Sequence, residues 1–109
     1  MLLDDVLEDM ERAGVPSAQT RFVSPPSSGA YLIWDDAVQA SGADYANPVR
    51  DHDSLVTVVE HPGDGDGARL ALEAALDARG VAWRREIREW VEDPKVYTTD
   101  YSFSFVEKA

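Results

Sequence analysis

The sequence contains no cysteine, few basic residues and no long apolar run. Without cysteine, disulfides and thiolate-bound metals are excluded, and the chain suits a reducing compartment. Its apolar runs are only a few residues long, too short to cross a bilayer. The first residues, MLLDDVLEDMERAG, mix apolar with acidic side chains, so we do not expect a signal peptide.

Basic residues are scarce: 10 Lys and Arg stand against 21 Asp and Glu, which gives a formal net charge of −11 at pH 7. This balance disfavours binding to nucleic-acid phosphates or to an anionic membrane. With 44% hydrophobic and 28% charged residues, the composition is that of a folded protein. At 109 residues we expect one domain spanning 1–109.

Apolar periodicity predicts two helices. The first has apolar residues at three- and four-residue spacing and ends at Gly14 and Pro16; these residues are Leu2, Leu3, Val6, Leu7, Met10 and Ala13. The second begins near Asp66 or Gly67 and ends at Gly80. Its predicted apolar face carries Leu70, Ala71, Ala74, Ala75 and Ala78, with Leu72 and Leu76 alongside.

Strands are predicted at 30–34, 54–60, 81–91 and 95–105, with a short edge strand at 20–24 and a hairpin turn at 92–95. The last strand, KVYTTDYSFSF, alternates in steps of two. Its odd positions, from Tyr97 to Phe105, are expected to pack on the helices, and its even positions to face water or a neighbouring subunit. The sequence therefore predicts an α+β fold: a mostly antiparallel sheet of about four strands with two helices on one face.

Residues 35–53 form a long polar excursion between two predicted strands. Nineteen residues exceed the usual loop length in a compact domain. We expect either a strand hairpin that reaches outward or a functional arm.

Candidate chemistry is sparse. Asp64, Asp66, Gly67 and Glu73 match positions 3, 5, 6 and 12 of a calcium-binding EF-hand loop, but Pro62 occupies the first ligand position, which favours a plain turn. His52 and His61 flank a strand and are expected to be solvated. Adjacent acids such as Asp4/Asp5, Asp35/Asp36 and Glu92/Asp93 point apart. We therefore predict no catalytic, cofactor-binding or metal-binding residue, no cofactor and no enzymatic activity.

Arg84, Arg85 and Arg88 form a local basic cluster in an acidic chain. One interpretation pairs them within the chain with Glu86, Glu89 and Glu107. The other places them against the acidic first helix of a second subunit, in a head-to-tail contact that closes into a ring.

The stretch LEAALDARGVAWRREIREWVEDPKVYTTDYSFSFVEK resembles the end of the tail terminator (tail completion) proteins of siphophages. The positions that carry the resemblance are Leu76-Asp77, Gly80-Val81, Tyr97, Tyr101, Phe103 and Glu107-Lys108. Upstream, AYLIWDD, Gly42-Ala43-Asp44 and SLVTVVEH are similar to the two earlier strands of that family. The likeness extends from Ala30 onward and rests on the order of elements.

This resemblance implies a structural virion protein at the head–tail junction, assembled in the host cytoplasm. It implies a homohexameric ring that stops polymerisation of the major tail tube protein and joins the head-completion (stopper) protein. DNA would pass through the lumen without specific binding, and no membrane partner is implied. The excursion and the free face of the last hairpin are the expected contact surfaces.

Three alternatives remain open at the level of the sequence. The chain is another neck protein such as a stopper, an acidic DNA-mimic inhibitor, or a small metal-dependent enzyme that uses the EF-hand-like loop. The charge of −11 favours the second, and only the loop at Pro62–Glu73 favours the third.

Overall fold

The computed structural model describes residues 1–41 and 49–108. Within these residues the sheet has six strands, in the order β1-β2-β3-β6-β4, and β5 also pairs with β6. The elements in chain order are α1 (Leu2–Arg12), β1 (Ser17–Gln19), β2 (Tyr31–Ser41), β3 (Val49–Glu60), α2 (Gly67–Ala78), β4 (Trp83–Arg85), β5 (Glu89–Val91) and β6 (Val96–Lys108).

The α+β class is confirmed, but the sheet is larger than the four strands predicted and it is mixed. β1 runs parallel to β2, whereas every other strand pair is antiparallel. β3 lies between β2 and β6 and pairs along its length without a skipped residue. A strand of its 12 residues extends about 40 Å, which accounts for most of the molecule's 51 Å long dimension.

Both helices cover one face of this sheet. Alternate residues of β2, β3 and β6 meet them there, including Leu32, Val56, Val58, Tyr101 and Phe103. The helices contribute Leu3, Val6, Met10, Leu72 and Leu76, which are at most 1% exposed. Burial of each large side chain contributes about 1.5–3 kcal/mol. The predicted inward orientation of the odd positions of β6 is thus confirmed at Thr99, Tyr101 and Phe103, all buried.

The buried face of α2 differs from the one predicted. Ala68, Leu72 and Leu76 are buried at four-residue spacing, whereas Leu70 is 55% exposed. Ala74 and Ala78, also predicted to face the core, are exposed. The larger side chains Leu72 and Leu76 remove more apolar area from water than the alanines, and they decide which side of the helix packs.

The predictions of the edge strand and of the segment 81–91 were wrong in extent. The edge strand lies at Ser17–Gln19 rather than at 20–24, because Thr20 has a positive φ of 64° that turns the chain away. The segment 81–91 divides into β4 and β5, and Ile87 between them is 78% exposed. A single apolar residue among charged neighbours buries too little area to hold the middle of this segment on the sheet.

Among the residues that the structure describes, the opposite face of the sheet is covered at one end only. There Tyr31, Val59 and Val96 form a small buried cluster, against which Phe22 and Val91 pack. The rings of Phe22 and Tyr31 meet edge to face with centroids 5.2 Å apart. Beyond this cluster the even positions of β6 are partly or fully exposed, as the alternation predicts.

Leu72→Ala and Leu70→Ala test which face of α2 is buried. Leu72→Ala should lower the free energy of unfolding by about 2–5 kcal/mol, because it leaves a cavity in a site with 0% exposure. Leu70→Ala should change it by no more than about 0.5 kcal/mol. Urea denaturation followed by circular dichroism measures both values, and equal losses would contradict this orientation of the helix.

Candidate interaction surface

The 35–53 excursion is a strand hairpin as far as the structure describes it. β2 continues to Ser41 and β3 begins at Val49, while Gly42, Ala43 and Asp44 lie outside the described residues. β6 accompanies β3 along this extension. We call the three-stranded unit formed by residues 35–41, 49–55 and 102–108 the arm. The backbone of this excursion is thus the outward-reaching strand hairpin, one of the two structures expected from the sequence.

His52 is the central polar residue of the arm. Its ring is 3% exposed, and its Nδ1 lies 2.6 Å from Oδ2 of Asp36 on β2. Its Nε2 lies 3.4 Å from Oε1 of Glu107 on β6. The imidazole therefore connects the two outer strands of the arm through the middle one.

Two further contacts fix this arrangement. The ring of Phe105 stacks on the imidazole, with centroids 4.4 Å apart and an interplanar angle of 6°. Ser54 Oγ donates a hydrogen bond of 2.9 Å to the other oxygen of Asp36. The Asp36 carboxylate, whose side chain is 8% exposed, is thus bonded through both of its oxygens. A buried carboxylate with such partners avoids the cost of an uncompensated charge.

The pKa of His52 is raised above its ordinary value of 6.5. Burial alone would lower this pKa, but the hydrogen bonds and charges of Asp36 and then Glu107 outweigh it. A raised pKa in the folded state means that protonation stabilises the fold. That contribution is fully present below the unfolded-state pKa and is lost as the pH rises through the folded-state pKa.

The solvated position predicted for His52 was wrong, because β3 begins earlier than predicted and carries His52 into the sheet. His52, Ser54, Val56 and Val58 alternate on one face, so extending the period of the strand by two residues would have placed the histidine inward. His61 does lie at a turn, where its side chain is 22% exposed. Asp35 and Asp36 point to opposite faces, as predicted: Asp35 accepts a hydrogen bond from Thr20.

The uncovered face of the sheet is lined with paired hydroxyl and carboxylate groups. Thr57 donates to Asp100 at 2.7 Å, and Ser104 donates to Asp53 at 2.5 Å. These bonds cross between β3 and β6 and hold the carboxylates in place. The face therefore presents ordered negative charge to whatever lies opposite it.

The arginine cluster pairs within the chain, though only partly as predicted. Arg84 Nε lies 3.1 Å from Glu86, as expected. Arg85 contacts Glu73 on α2 instead, and Arg88 lies 3.6 Å from the buried Glu60. The predicted partner Glu107 contacts His52. Long-range packing decides these pairings, so neighbours in the sequence could not reveal them.

Arg88 also belongs to a polar cluster at the other end of the sheet. Its guanidinium lies 3.9 Å from the ring centroid of Tyr97, and Trp90 meets Tyr97 at 4.8 Å. Arg69 of α2 donates a hydrogen bond of 2.8 Å to Oε1 of Glu60. This cluster ties β5 and α2 to the central strands and leaves Trp90 43% exposed.

The EF-hand-like loop uses its carboxylates for contacts within the chain. Asp64 accepts a hydrogen bond from the backbone N–H of His61, and Glu73 accepts one of 2.6 Å from the hydroxyl of Tyr101. Burial, followed by Glu73, raises the pKa of Tyr101 to about 12. Asp66 precedes α2 as predicted, although its side chain makes no capping bond. Across 1–41 and 49–108, no three His, Asp or Glu side chains are grouped to hold a metal ion.

Comparison with known proteins shows the fold. No protein-family model matches the chain, and no curated protein sequence matches it. A solved structure with the same fold is a chain of the "virion of native gene transfer agent (GTA) particle". It is 20% identical, with a TM-score of 0.62 over 95% of this chain and 85% of that one. The mycobacterial sensor histidine kinase MprB, with 13% identity over 94% of this chain and 93% of that one, has a TM-score of only 0.33 and supports no conclusion.

None of the described helices is long and apolar enough to span a membrane. α1 and α2 have 11 and 12 residues, whereas a spanning helix needs about 20. Their apolar residues face the sheet instead.

His52→Gln and Asp36→Asn test the connection across the arm. Below about pH 6, either change should lower the free energy of unfolding by ~1.5–3 kcal/mol, because each removes a buried hydrogen bond to a charged group. The difference between the wild type and His52→Gln should shrink as the pH rises through the folded-state pKa of His52. Denaturant titrations between pH 5 and 9 measure it.

Asp53→Asn is the matched control for Asp36→Asn. It makes the same chemical change in the same hairpin, but on an exposed residue of the opposite face. It should alter the free energy of unfolding by no more than about 0.5 kcal/mol. A difference between the wild type and His52→Gln that stays constant with pH would show that His52 is not charged within the arm.

Proposed function

We propose that this protein is a structural subunit of a phage-like particle. The observation that carries the proposal is the shared fold, over 95% of the chain, with a protein of a gene transfer agent virion. The arm, with edges that are unpaired among the described residues, and the uncovered sheet face agree with a role in assembly. We propose no catalytic activity and no cofactor.

Within the particle, we propose a tail terminator that acts at the head–tail junction. It would form a ring, with six copies as the family resemblance implies, on the head-proximal end of the tail tube. One side of the ring would match the major tail tube protein and stop its polymerisation. The other side would receive the head-completion protein.

The ordered carboxylates of the uncovered face support a role beside DNA. Asp53 and Asp100 are held there by hydroxyl donors, and the chain as a whole carries a net charge of −11. Negative charge lining a lumen repels the phosphate backbone, so DNA would pass through without adhering. The proposed localisation is the virion, after assembly in the host cytoplasm.

The charge also favours a second candidate, an acidic DNA-mimic inhibitor. A mimic presents carboxylates in place of phosphates to a basic nuclease or repressor. It would be recovered with that basic enzyme in a pull-down and would be missing from purified particles. A structural subunit would be present in the particles.

Deleting the gene from the genome that encodes the particle distinguishes the proposed roles. Loss of a terminator should give overlong tails that do not join heads, because nothing stops the tube from growing. Loss of a stopper should instead leave heads that leak DNA. Electron microscopy of the particles measures tail length and joining, and normal joined tails of normal length would contradict both roles.

The purified protein offers an independent measurement. Negative-stain microscopy should show rings with sixfold symmetry. A protein that stays monomeric at every concentration and is absent from purified particles would contradict the structural role.

A further inference from the structure

We propose that copies of this chain associate head to tail through the arm. The outer edge of β2 in one copy, residues 35–41, would run parallel to the outer edge of β6 in the next, residues 104–108. The purpose of this association, assembly of a particle, rests on the proposed function. The interface itself follows from the two strand edges.

Both edges lack a neighbouring strand within the described residues. β1 pairs with β2 only at 32–34, and β4 pairs with β6 only at 101–103. Past these points, the outward N–H and C=O groups form a template for another strand. Proline, bulges and lysine commonly protect such edges. Neither edge has a proline or a bulge, and their charged residues are confined to Asp35 and Asp36 at the start of one and to Glu107 and Lys108 at the end of the other.

The two edges lie at the same level of the molecule and point the same way. Across the arm, Val38 is aligned with His52 and Phe105, and Ser41 is aligned with Val49 and Lys108. β2 and β6 are both antiparallel to β3, so they run parallel to each other. A rotation about an axis along the strands therefore carries one edge onto the other. Such head-to-tail contacts repeat identically and close into a ring when the rotation allows it.

The side chains on these edges suit one another. Val38 is 53% exposed and Val106 is 63% exposed, although each lies on a well-ordered strand. Residues 37–40 of β2, AVQA, carry no charge and can approach Glu107 without repulsion. In a chain with a net charge of −11, this uncharged segment is the part of the β2 edge that a second copy can approach without repulsion. Val38 and Val106 point to opposite faces of the sheet, so pairing would place each valine beside side chains of the other copy on its own face.

Opposite charges stand where the two free edges begin. One row of aligned residues crosses a face of the sheet from Asp35 through Leu55 and Ser102 to Arg84. Asp35 and Arg84 are therefore the two ends of this row. The Arg84 side chain is 77% exposed, although it pairs with Glu86. It lines a groove of about 650 Å³ with Trp83 and Phe103, beside the start of the free edge of β6. Head-to-tail association brings Asp35 of the next copy towards Arg84.

The fold also limits this contact to the arm. Before the arm begins, the same two edges are already paired, with β1 at 32–34 of β2 and with β4 at 101–103 of β6. The sheets of neighbouring copies therefore cannot pair along their full length, and their helix-covered portions must fan apart. In any such assembly, neighbouring copies would lie close together where their arms pair and further apart where the helices cover the sheets.

A cysteine scan of the cysteine-free chain tests the proposal. Val106→Cys is combined in turn with Ala37→Cys, Val38→Cys, Gln39→Cys and Ala40→Cys in purified protein under mild oxidation. Within one chain these positions lie two strand spacings apart, about 9.6 Å, beyond the ~7 Å limit for a disulfide. Every disulfide therefore links two copies. All five positions are exposed, so the variants should fold.

The expected result is a ladder of cross-linked oligomers whose yield alternates along β2. Ala37 and Gln39 share a sheet face with Val106, whereas Val38 and Ala40 point to the opposite face. Yields with cysteine at 37 and 39 should exceed those at 38 and 40 several-fold, whatever the stagger between the strands. The separate single variants, mixed together, should give one dimer band.

Three results would overturn the proposal. Strong dimerisation of Val106→Cys alone would show that β6 pairs with β6 about a twofold axis. Equal yields at 37–40 would show random collision, and no cross-link at any position would show that the edges do not meet. Because the assay uses isolated protein, it is independent of the proposed function: alternating yields from a protein absent from particles would refute only that function.

Discussion

Unbroken pairing of β3 with two neighbours is the constraint on which the rest of this structure depends. β3 pairs residue for residue with β2 from Val49 to Val59 and with β6 from Val49 to Glu60. Its inner end carries Val56 and Val58 into the helix-covered core. Towards its outer end the buried residue is His52, which contacts a carboxylate on each neighbouring strand. One strand thus changes from apolar to polar packing along its length.

That change explains how an arm can extend from a small core. A hairpin without a hydrophobic face is marginally stable in water. Here the arm has a third strand, a stacked Phe105 and a buried His52–Asp36 contact of 2.6 Å. These contacts hold β2 and β6 at a fixed spacing while leaving their outer edges unpaired in the part of the chain that the structure describes. A rigid arm with unpaired edges offers backbone N–H and C=O groups with which a strand of another copy can pair.

Sequence periodicity predicted the elements with strong repeats. α1 and the alternation of β6 follow directly from apolar spacing, and their positions were right to within a few residues, whereas of β3 only the apolar half, 54–60, was predicted. The face of α2 was not predictable by counting alanines, since Leu72 and Leu76 decide it through their size. His52 was missed because its strand begins within a polar stretch, where alternation of hydrophobicity gives no signal.

The pairings of charged residues were the least predictable part. Arg85 reaches Glu73 and Arg88 reaches Glu60 across different elements, whereas the sequence suggested partners on the same hairpin. Such contacts depend on how the helices lie over the sheet, which no local pattern encodes. The resemblance to tail terminators extends from Ala30 onward, and the fold shared with a virion protein covers 95% of the chain.

Amide hydrogen exchange of the purified protein, compared between dilute and concentrated solution, shows whether the two edges of the arm pair with a second copy. Edge amides that form hydrogen bonds to a second copy are protected from exchange, whereas those facing water are not. The account predicts that protection rises with concentration at the outward amides of 35–41 and 104–108, and little elsewhere on the sheet. Protection that appears instead on α1, or edges that exchange equally fast at every concentration, would contradict it.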